Sequence, residues 1–140
     1  MKKKILIVGV GNIGFRHFQS VNDLKNVEIT LVDPRIQKIK KIYFKHEIKK
    51  RNKYLFHNTI NRVFYKKFDL VIIATNSKIR FKIFNYLVKN NISKNIILEK
   101  VIYSNLNDYD KYMNIINTMK INCWVNCLNR VFPISKEIKS

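Results

Sequence analysis

Glycine and proline are scarce in this chain, with only three and two among its 140 residues. This composition excludes collagen-like repeats and the glycine- or proline-rich linkers that often separate domains. All three glycines lie within six positions, at Gly9, Gly11 and Gly14. Glycine is favoured where the backbone takes conformations that a Cβ atom forbids, or where a ligand approaches it closely. The cluster therefore predicts a functional site.

Cysteine is rare as well, since the chain contains only Cys123 and Cys127. Two cysteines do not make the disulfide framework of a small secreted domain. Four residues apart on a predicted strand, they would lie about 13 Å apart on one face, too far for a bridge or a shared metal. No HExxH or paired CxxC pattern is present. We expect two buried, inert thiols and no metal site.

Acidic residues are few, because nine Asp and Glu stand against 28 Lys and Arg, giving a net charge of +19. Such an excess can attract polyanions. However, Lys, Asn and Ile supply 62 of the 140 residues, and all three have A/T-rich codons. The basic residues are scattered, and only six are Arg, the better phosphate-binding side chain. We attribute the charge to genome composition and expect no specific nucleic-acid partner.

Long apolar runs are absent, and none approaches the ~20 residues that cross a bilayer. The start MKKKILIVGVGNIG has the basic beginning of a signal peptide, but Gly and Asn interrupt its apolar run and no small-residue cleavage site follows. We expect a first strand here, in a cytoplasmic protein with no membrane partner.

Short apolar runs alternate with segments of helical periodicity. Strands are predicted at Lys4–Gly9, Val27–Asp33, Tyr54–His57, Phe68–Thr75, Asn95–Glu99 and Ile121–Leu128. Helices are predicted at Asn12–Leu24, Arg35–Phe44, Lys78–Lys89 and Leu106–Met119, with a short turn around Thr59–Tyr65. Strands such as LVIIAT are apolar without alternation, as expected when both faces of a sheet are covered. The sequence predicts an α/β domain with a doubly wound, mostly parallel, Rossmann-like sheet in three α/β/α layers.

The three glycines fit the pattern G-x-G-x-x-G between the first predicted strand and the first predicted helix, which is the context this pattern requires. There, Gly9 permits a tight turn, Gly11 lets the backbone approach a pyrophosphate, and Gly14 lets the helix pack closely on the strand. The amides of Asn12 and Ile13 would then face the phosphates at the helix N-terminus. This reading predicts a dinucleotide-binding loop.

Asp33 ends the second predicted strand, 19 residues after Gly14. A carboxylate there can accept hydrogen bonds from the ribose hydroxyls of the adenosine. The alternative is that Asp33 only opens an Asp-Pro turn. Because the carboxylate would repel a 2′-phosphate, we expect NAD rather than NADP, a preference that Arg35 could soften.

Four ordered segments resemble the Gfo/Idh/MocA family of NAD(P)-dependent oxidoreductases, the glucose–fructose oxidoreductase and inositol dehydrogenase type. These segments are GVGNIGFRH, FDLVIIATNS, IILEKVIYS and NRVFP. The third resembles the family's E-K-P segment and the fourth its R-x-x-P turn. Two positions depart from the family pattern: Val101 stands in place of the E-K-P proline, and Arg80 in place of a histidine after the A-T-P/N loop.

The resemblance implies roles for particular residues. It places Lys100 at the family's catalytic lysine position, where the ammonium would polarise the reacting hydroxyl or carbonyl. It places Glu99 and Arg130 near the nicotinamide. Further cofactor contacts are implied along the loop formed by Ala74, Thr75 and Asn76. The alternative for Lys100 is that it is one of 22 lysines and simply solvated.

His17 is a candidate general base, but it shares a helical stripe with Ile13 and Val21. We therefore expect a histidine in the core or one that braces a loop.

Two functions remain open from the sequence. The first is a hydride-transferring oxidoreductase, or its cofactor domain, acting on a sugar, cyclitol or nucleotide-sugar, for example in polysaccharide biosynthesis. The second is a stand-alone NAD(H)-binding regulatory module. The resemblance implies a dinucleotide domain over residues 1–128. It also implies that residues 129–140 begin the crossover to a substrate domain absent from this chain, and it allows for a homo-oligomer. We expect the 140 residues alone to be inactive.

Overall fold

The computed structural model describes residues 2–44 and 52–127. Its strands are β1 Lys3–Val8, β2 Val27–Val32, β3 Lys53–His57, β4 Leu70–Ile73, β5 Asn95–Glu99 and β6 Asn122–Asn126. Its helices are α1 Asn12–Asn22, α2 Ile36–Tyr43, α3 Ser77–Lys89 and α4 Leu106–Met119, and Ile60–Val63 forms a 3₁₀ turn. Strands and helices alternate, as the apolar runs and helical segments predict.

All paired strands are parallel, in the order β3-β2-β1-β4-β5-β6. The chain runs outward from β1 through β2 to β3, and then returns to add β4 on the other side of β1. In such sheets the crevice between the first and fourth strands, at their carboxyl ends, is where ligands bind. The topology therefore places a ligand site beside the loop that follows β1.

Two hydrophobic cores cover the two faces of the sheet. One packs α1 and α2 on the first four strands, with Phe18, Val21 and Ile36 against Ile7 and Leu31. The other packs α3 and α4 against the opposite face of β1, β4 and β5. The three-layer α/β/α prediction is thus confirmed, and so is the reason given for the unbroken apolar strands.

The helical stripe assigned to α1 is wrong. Ile13 is 47% exposed, and the buried residues of α1 are Gly14, Phe18, Val21 and Asn22. Spacings of four and three residues occur both in the predicted stripe and in the observed one. The sequence alone favours Ile13 over Gly14 as the inward residue. The packing of Gly14 against the loop before it turns the helix by about one residue from the predicted orientation.

The structure changes two further sequence predictions, and others fall outside the described residues. The predicted strand Phe68–Thr75 shortens to Leu70–Ile73 because the Phe68 amide donates to Ile92 O, outside the sheet. Cys123 and Cys127 are both free and half-buried rather than fully buried, and burial raises the pKa of Cys123. Arg130 and the residues of the proposed crossover lie outside the described residues. Within residues 2–44 and 52–127, no helix is long and apolar enough to span a bilayer.

Candidate cofactor site

A cavity of about 550 Å³ opens at the carboxyl ends of β1, β2 and β4. Its walls come from the loops after these strands, from the segment after β3, and from the first turns of α3. They are formed by Val8, Gly9, Gly11, Val32, Asp33, Pro34, Arg35, Asn58, Thr59, Ile60, Ala74, Thr75, Asn76, Ile79 and Ile83. The cavity thus lies at the point where the strand order reverses, as the topology requires.

The glycine loop forms one side of this cavity, and each glycine meets a different constraint. Gly9 has φ +86°, and a Cβ there would lie 2.9 Å from the Ala74 carbonyl carbon. A Cβ on Gly14 would lie 1.8 Å from Gly9 O, so the start of α1 packs directly on the loop. A Cβ on Gly11 would meet nothing within 4 Å. Gly9 and Gly14 are therefore required by the fold, whereas the space at Gly11 is open.

The N-terminus of α1 points its positive end towards this open space. Gly11 is the N-cap residue and provides no side-chain cap. First-turn amides of a helix, such as that of Ile13, have no preceding carbonyl within the helix to bind. Such a helix end attracts anions.

Asp33 is buried at the base of the cavity, with only 5% of its side chain exposed. Its Oδ2 accepts from the Val10 amide at 2.9 Å, and its Oδ1 accepts from the Arg35 amide at 2.8 Å. The second contact, together with the bond from the Ile36 amide to Asp33 O, forms the Asp-Pro turn that the sequence also allowed. An ionised carboxylate has about four lone-pair sites, and Arg35 Nε also donates to Oδ1 at 3.4 Å, so these three bonds leave room for a further donor.

Arg35 lies at the rim. Its Nε is 3.4 Å from Asp33 Oδ1, and 70% of its side chain is exposed. A recess of about 150 Å³ adjoins the cavity here and is lined by Gly11, Asn12, Arg35 and Lys38, among others. Arg35 therefore partly balances the negative charge of Asp33 from the surface of the protein.

The loop after β4 faces the glycine loop. Ala74 N donates to Val8 O, which extends the β1–β4 contact by one residue. Asn76 caps α3, since its side chain accepts from the Ile79 amide at 3.3 Å. Thr75 Oγ1 is buried and lacks a hydrogen-bond partner within the described residues. The loop therefore contributes both a fixed helix start and one unsatisfied hydroxyl.

The carboxyl end of β5 carries Glu99 and Lys100. Glu99 Oε1 lies 2.5 Å from His17 Nε2 and accepts from Asn126 Nδ2 at 2.6 Å. His17 is mostly buried and braces this strand end, rather than entering the core. Lys100 is exposed, and the Lys100–Val101 peptide bond is cis. The carboxylate is held in place, and the ammonium projects from the next residue.

Arg80 belongs to the site, although from the sequence it is only a departure from the family pattern. Its position on α3 turns inward, and the residue is 3% exposed. Its Nη1 donates to the carbonyls of Glu99, Val101 and Ile102, the last at 3.1 Å, and its Nη2 donates to Thr75 O. Burial lowers the pKa of Arg80, and the Glu99 carboxylate acts in the opposite direction. The spacing of Arg80, Phe84 and Leu87 at i, i+4 and i+7 could have revealed an inward arginine.

A dinucleotide fits the groups that this structure brings together. Its pyrophosphate needs close backbone approach and a helix N-terminus, and Gly11 and α1 provide both. Its adenosine ribose needs a carboxylate acceptor, which Asp33 provides within the cavity. The walls contributed by Ile60, Ile79 and Ile83 suit the apolar faces of an adenine ring.

The family model GFO_IDH_MocA, described as "Oxidoreductase family, NAD-binding Rossmann fold", matches residues 3–127. This chain belongs to the Gfo/Idh/MocA oxidoreductase family. The matched residues are the NAD-binding domain of this family, so the cofactor of this domain is NAD. The resemblance seen in the four sequence segments is confirmed. No curated protein sequence matches the chain.

Solved structures of this family share the fold. Myo-inositol 2-dehydrogenase from Lactobacillus plantarum is 15% identical, with a TM-score of 0.77 over 99% of this chain and 40% of that protein. Scyllo-inositol dehydrogenase from Lactobacillus casei, solved with NAD(H) and scyllo-inositol, is 14% identical, with a TM-score of 0.76 and coverages of 99% and 40%. The WlbA dehydrogenase from Bordetella pertussis, solved with NADH and UDP-GlcNAcA, is 14% identical, with a TM-score of 0.75 and coverages of 99% and 41%. This chain therefore spans about two fifths of the length of these relatives.

Proposed function

We propose that this chain is the cofactor-binding part of a NAD-dependent oxidoreductase acting on a sugar, cyclitol or nucleotide-sugar. The observation that carries the proposal is the cavity of about 550 Å³ between the glycine loop and buried Asp33, at the carboxyl ends of β1, β2 and β4. The substrate class is supported by the names of structural neighbours, which include inositol dehydrogenases and an enzyme solved with UDP-GlcNAcA. The bound cofactor would supply or accept the hydride at its nicotinamide ring.

The residues around the cavity would bind and orient the dinucleotide. Gly11, Asn12 and Ile13 would hold the pyrophosphate at the N-terminus of α1. Asp33 would accept from the adenosine ribose and disfavour NADP, with Arg35 at the rim. Ala74, Thr75 and Asn76, which line the cavity, would flank the middle of the dinucleotide.

Residues at the carboxyl end of β5 would assist the transfer of the hydroxyl proton. Lys100 would hydrogen-bond the reacting hydroxyl and stabilise negative charge that develops on its oxygen. Glu99, fixed by His17 and Asn126, would stand beside the nicotinamide. The family resemblance adds Arg130 near the same ring.

The substrate side of this arrangement is open, because Lys100 is exposed to solvent. Orienting a sugar against the nicotinamide and excluding water would need a further wall opposite Lys100. We therefore infer that turnover depends on a part of the protein beyond the described residues. A cytoplasmic location fits a NAD-dependent enzyme with two free cysteines.

The proposal is tested by the chemical reactivity of Lys100. We expect NADH to slow acylation of Lys100 by an amine reagent, quantified by peptide mass spectrometry, and ADP-ribose, which lacks the nicotinamide, to leave it unchanged. Lys120, an exposed lysine next to the amino end of β6, serves as the internal control. Equal labelling of Lys100 with and without saturating NADH would contradict a nicotinamide beside it.

A further inference from the structure

The segment after β5 carries Lys100 into solvent, yet its backbone carbonyls converge on one buried group. The carbonyls of Glu99, Val101 and Ile102 all accept from Nη1 of Arg80, and Thr75 O accepts from Nη2. Residue 100 is thus flanked on both sides by carbonyls bound to the same guanidinium.

These four carbonyls belong to two different loops. Thr75 lies between β4 and α3, and the other three follow or end β5. A guanidinium is planar and directs its donors in a fixed fork, so it can bridge two loops at a set separation. Arg80 therefore joins the loop that lines the cofactor cavity to the segment that carries Lys100.

No described side chain offers Arg80 a direct ion pair, and its partners are all backbone carbonyls. A buried charge of this kind is costly unless its donors are satisfied; Nη1 and Nη2 are bound, whereas Nε is buried without a partner among the described residues. Carbonyl oxygens that lose this donor would also lose a hydrogen bond wherever water cannot reach them in its place. This arrangement therefore fixes the positions of its partners more closely than a salt bridge on a helix surface would.

We propose that Arg80 is the positioning residue of Lys100, fixing residues 99–102 against the end of β4 so that the ammonium meets the nicotinamide end of the cofactor. The proposal rests on the function proposed above for Lys100. Residue 101 of this chain is valine, so the segment lacks the φ restraint that a proline ring would impose there. The hydrogen bonds of Arg80 supply a restraint from outside the segment.

The test compares the unsubstituted 140-residue chain with its Arg80→Lys and Arg80→Gln variants. A lysine keeps the charge but has no planar fork, and a glutamine removes the charge. Lys82→Gln is the matched control, because Lys82 is an exposed cation on the same helix. We expect the backbone ¹⁵N order parameters of residues 100–102 to fall from about 0.85 to below about 0.6 in both Arg80 variants, with β4 and β5 unchanged.

The functional readout is the NADH-dependent protection of Lys100 from acylation. We expect both Arg80 variants to lose this protection while binding ADP-ribose within about twofold of the wild type, since Asp33 and Gly11 are untouched. Unchanged order parameters, or protection retained in the variants, would overturn the proposal. Loss of order throughout the sheet in both variants would make Arg80 a determinant of the fold and would overturn it as well. Absence of protection in the wild type would contradict the function proposed for Lys100, and the order parameters would then decide the structural claim for Arg80 alone.

Discussion

His17 Nε2 lies 2.5 Å from Glu99 Oε1, joining α1 to the carboxyl end of β5. The two residues are 82 positions apart, and both side chains are mostly buried, with 17% and 12% exposed. Because solvent screens such a contact only weakly, it should couple the two elements more strongly than a surface ion pair does.

We predict that a double-mutant cycle on this pair reports a coupling free energy. His17→Ala and Glu99→Gln, alone and combined, should show a coupling of about 1 kcal/mol in urea denaturation. The matched control is the exposed pair of Lys3 and Asp69, 3.1 Å apart, for which we expect less than about 0.5 kcal/mol. Equal coupling in the two cycles would contradict the role given to His17.

Gly14→Ala should destabilise the fold much more than Gly11→Ala. In Gly14→Ala the new Cβ would fall 1.8 Å from Gly9 O, so we expect a loss of about 3 kcal/mol in the free energy of unfolding. Gly11→Ala places its Cβ in open space, so its cost should stay below about 1 kcal/mol. Chemical denaturation of both variants measures the difference, and a stable Gly14→Ala protein would refute the packing described for α1.

Asp33 should set the cofactor preference. We expect the wild type to bind NADH at least about tenfold more tightly than NADPH, and Asp33→Asn to reduce that ratio because the carboxylate no longer repels a 2′-phosphate. The control is Asp69→Asn, since Asp69 likewise accepts from a backbone amide, that of Lys4 at 2.8 Å, but at the opposite end of the sheet. Titrations of both variants with both cofactors test this, and equal wild-type affinities would refute it.

His57 should make stability fall in mild acid. Burial lowers the pKa of His57 below its ordinary value of 6.5, and the charges of Lys66 and Arg62 lower it further. Its Nε2 is buried without a hydrogen-bond partner in the described residues. The unfolded state therefore binds a proton more readily than the folded state, and the stabilisation present above the unfolded pKa is lost as the pH falls through the folded one.

The check is the free energy of unfolding measured from about pH 7.5 to 5, below the ordinary pKa of histidine. In His57→Gln the decrease over this interval should be smaller than in the wild type. An identical decrease in the two proteins would show that His57 does not titrate as described.

The sequence was informative about backbone patterns and less so about side-chain partners. Unbroken apolar strands and the position of Gly9, Gly11 and Gly14 predict the sheet, its layers and the loop at its centre. These signals are local, because strand and turn preferences depend on neighbouring residues. The contact of His17 with Glu99 depends on how α1 is turned against β5, and no spacing along the chain contains that information.

For Arg80, the inward position can be predicted from the sequence, but its hydrogen-bond partners cannot. A polar residue on an inward helical stripe can be recognised from its spacing to Phe84 and Leu87, but its acceptors cannot, because they are carbonyls of two loops that meet only in the folded sheet. The walls of the cavity formed by Ile60, Ile79 and Ile83 were missed for the same reason. Single isoleucines carry no sign of a ligand until the tertiary fold brings them together.

The central claim is that this chain binds NAD(H) in the cavity between Gly11 and Asp33. Calorimetric titration of the 140-residue chain with NADH tests it most directly, with Gly11→Val as the variant whose side chain would fill the space needed by the pyrophosphate. We predict one saturable site in the wild type with Kd below about 1 mM, and no binding to a Gly11→Val protein that remains folded. The absence of saturable binding in the wild type, or equal affinity in the two proteins, would contradict the account.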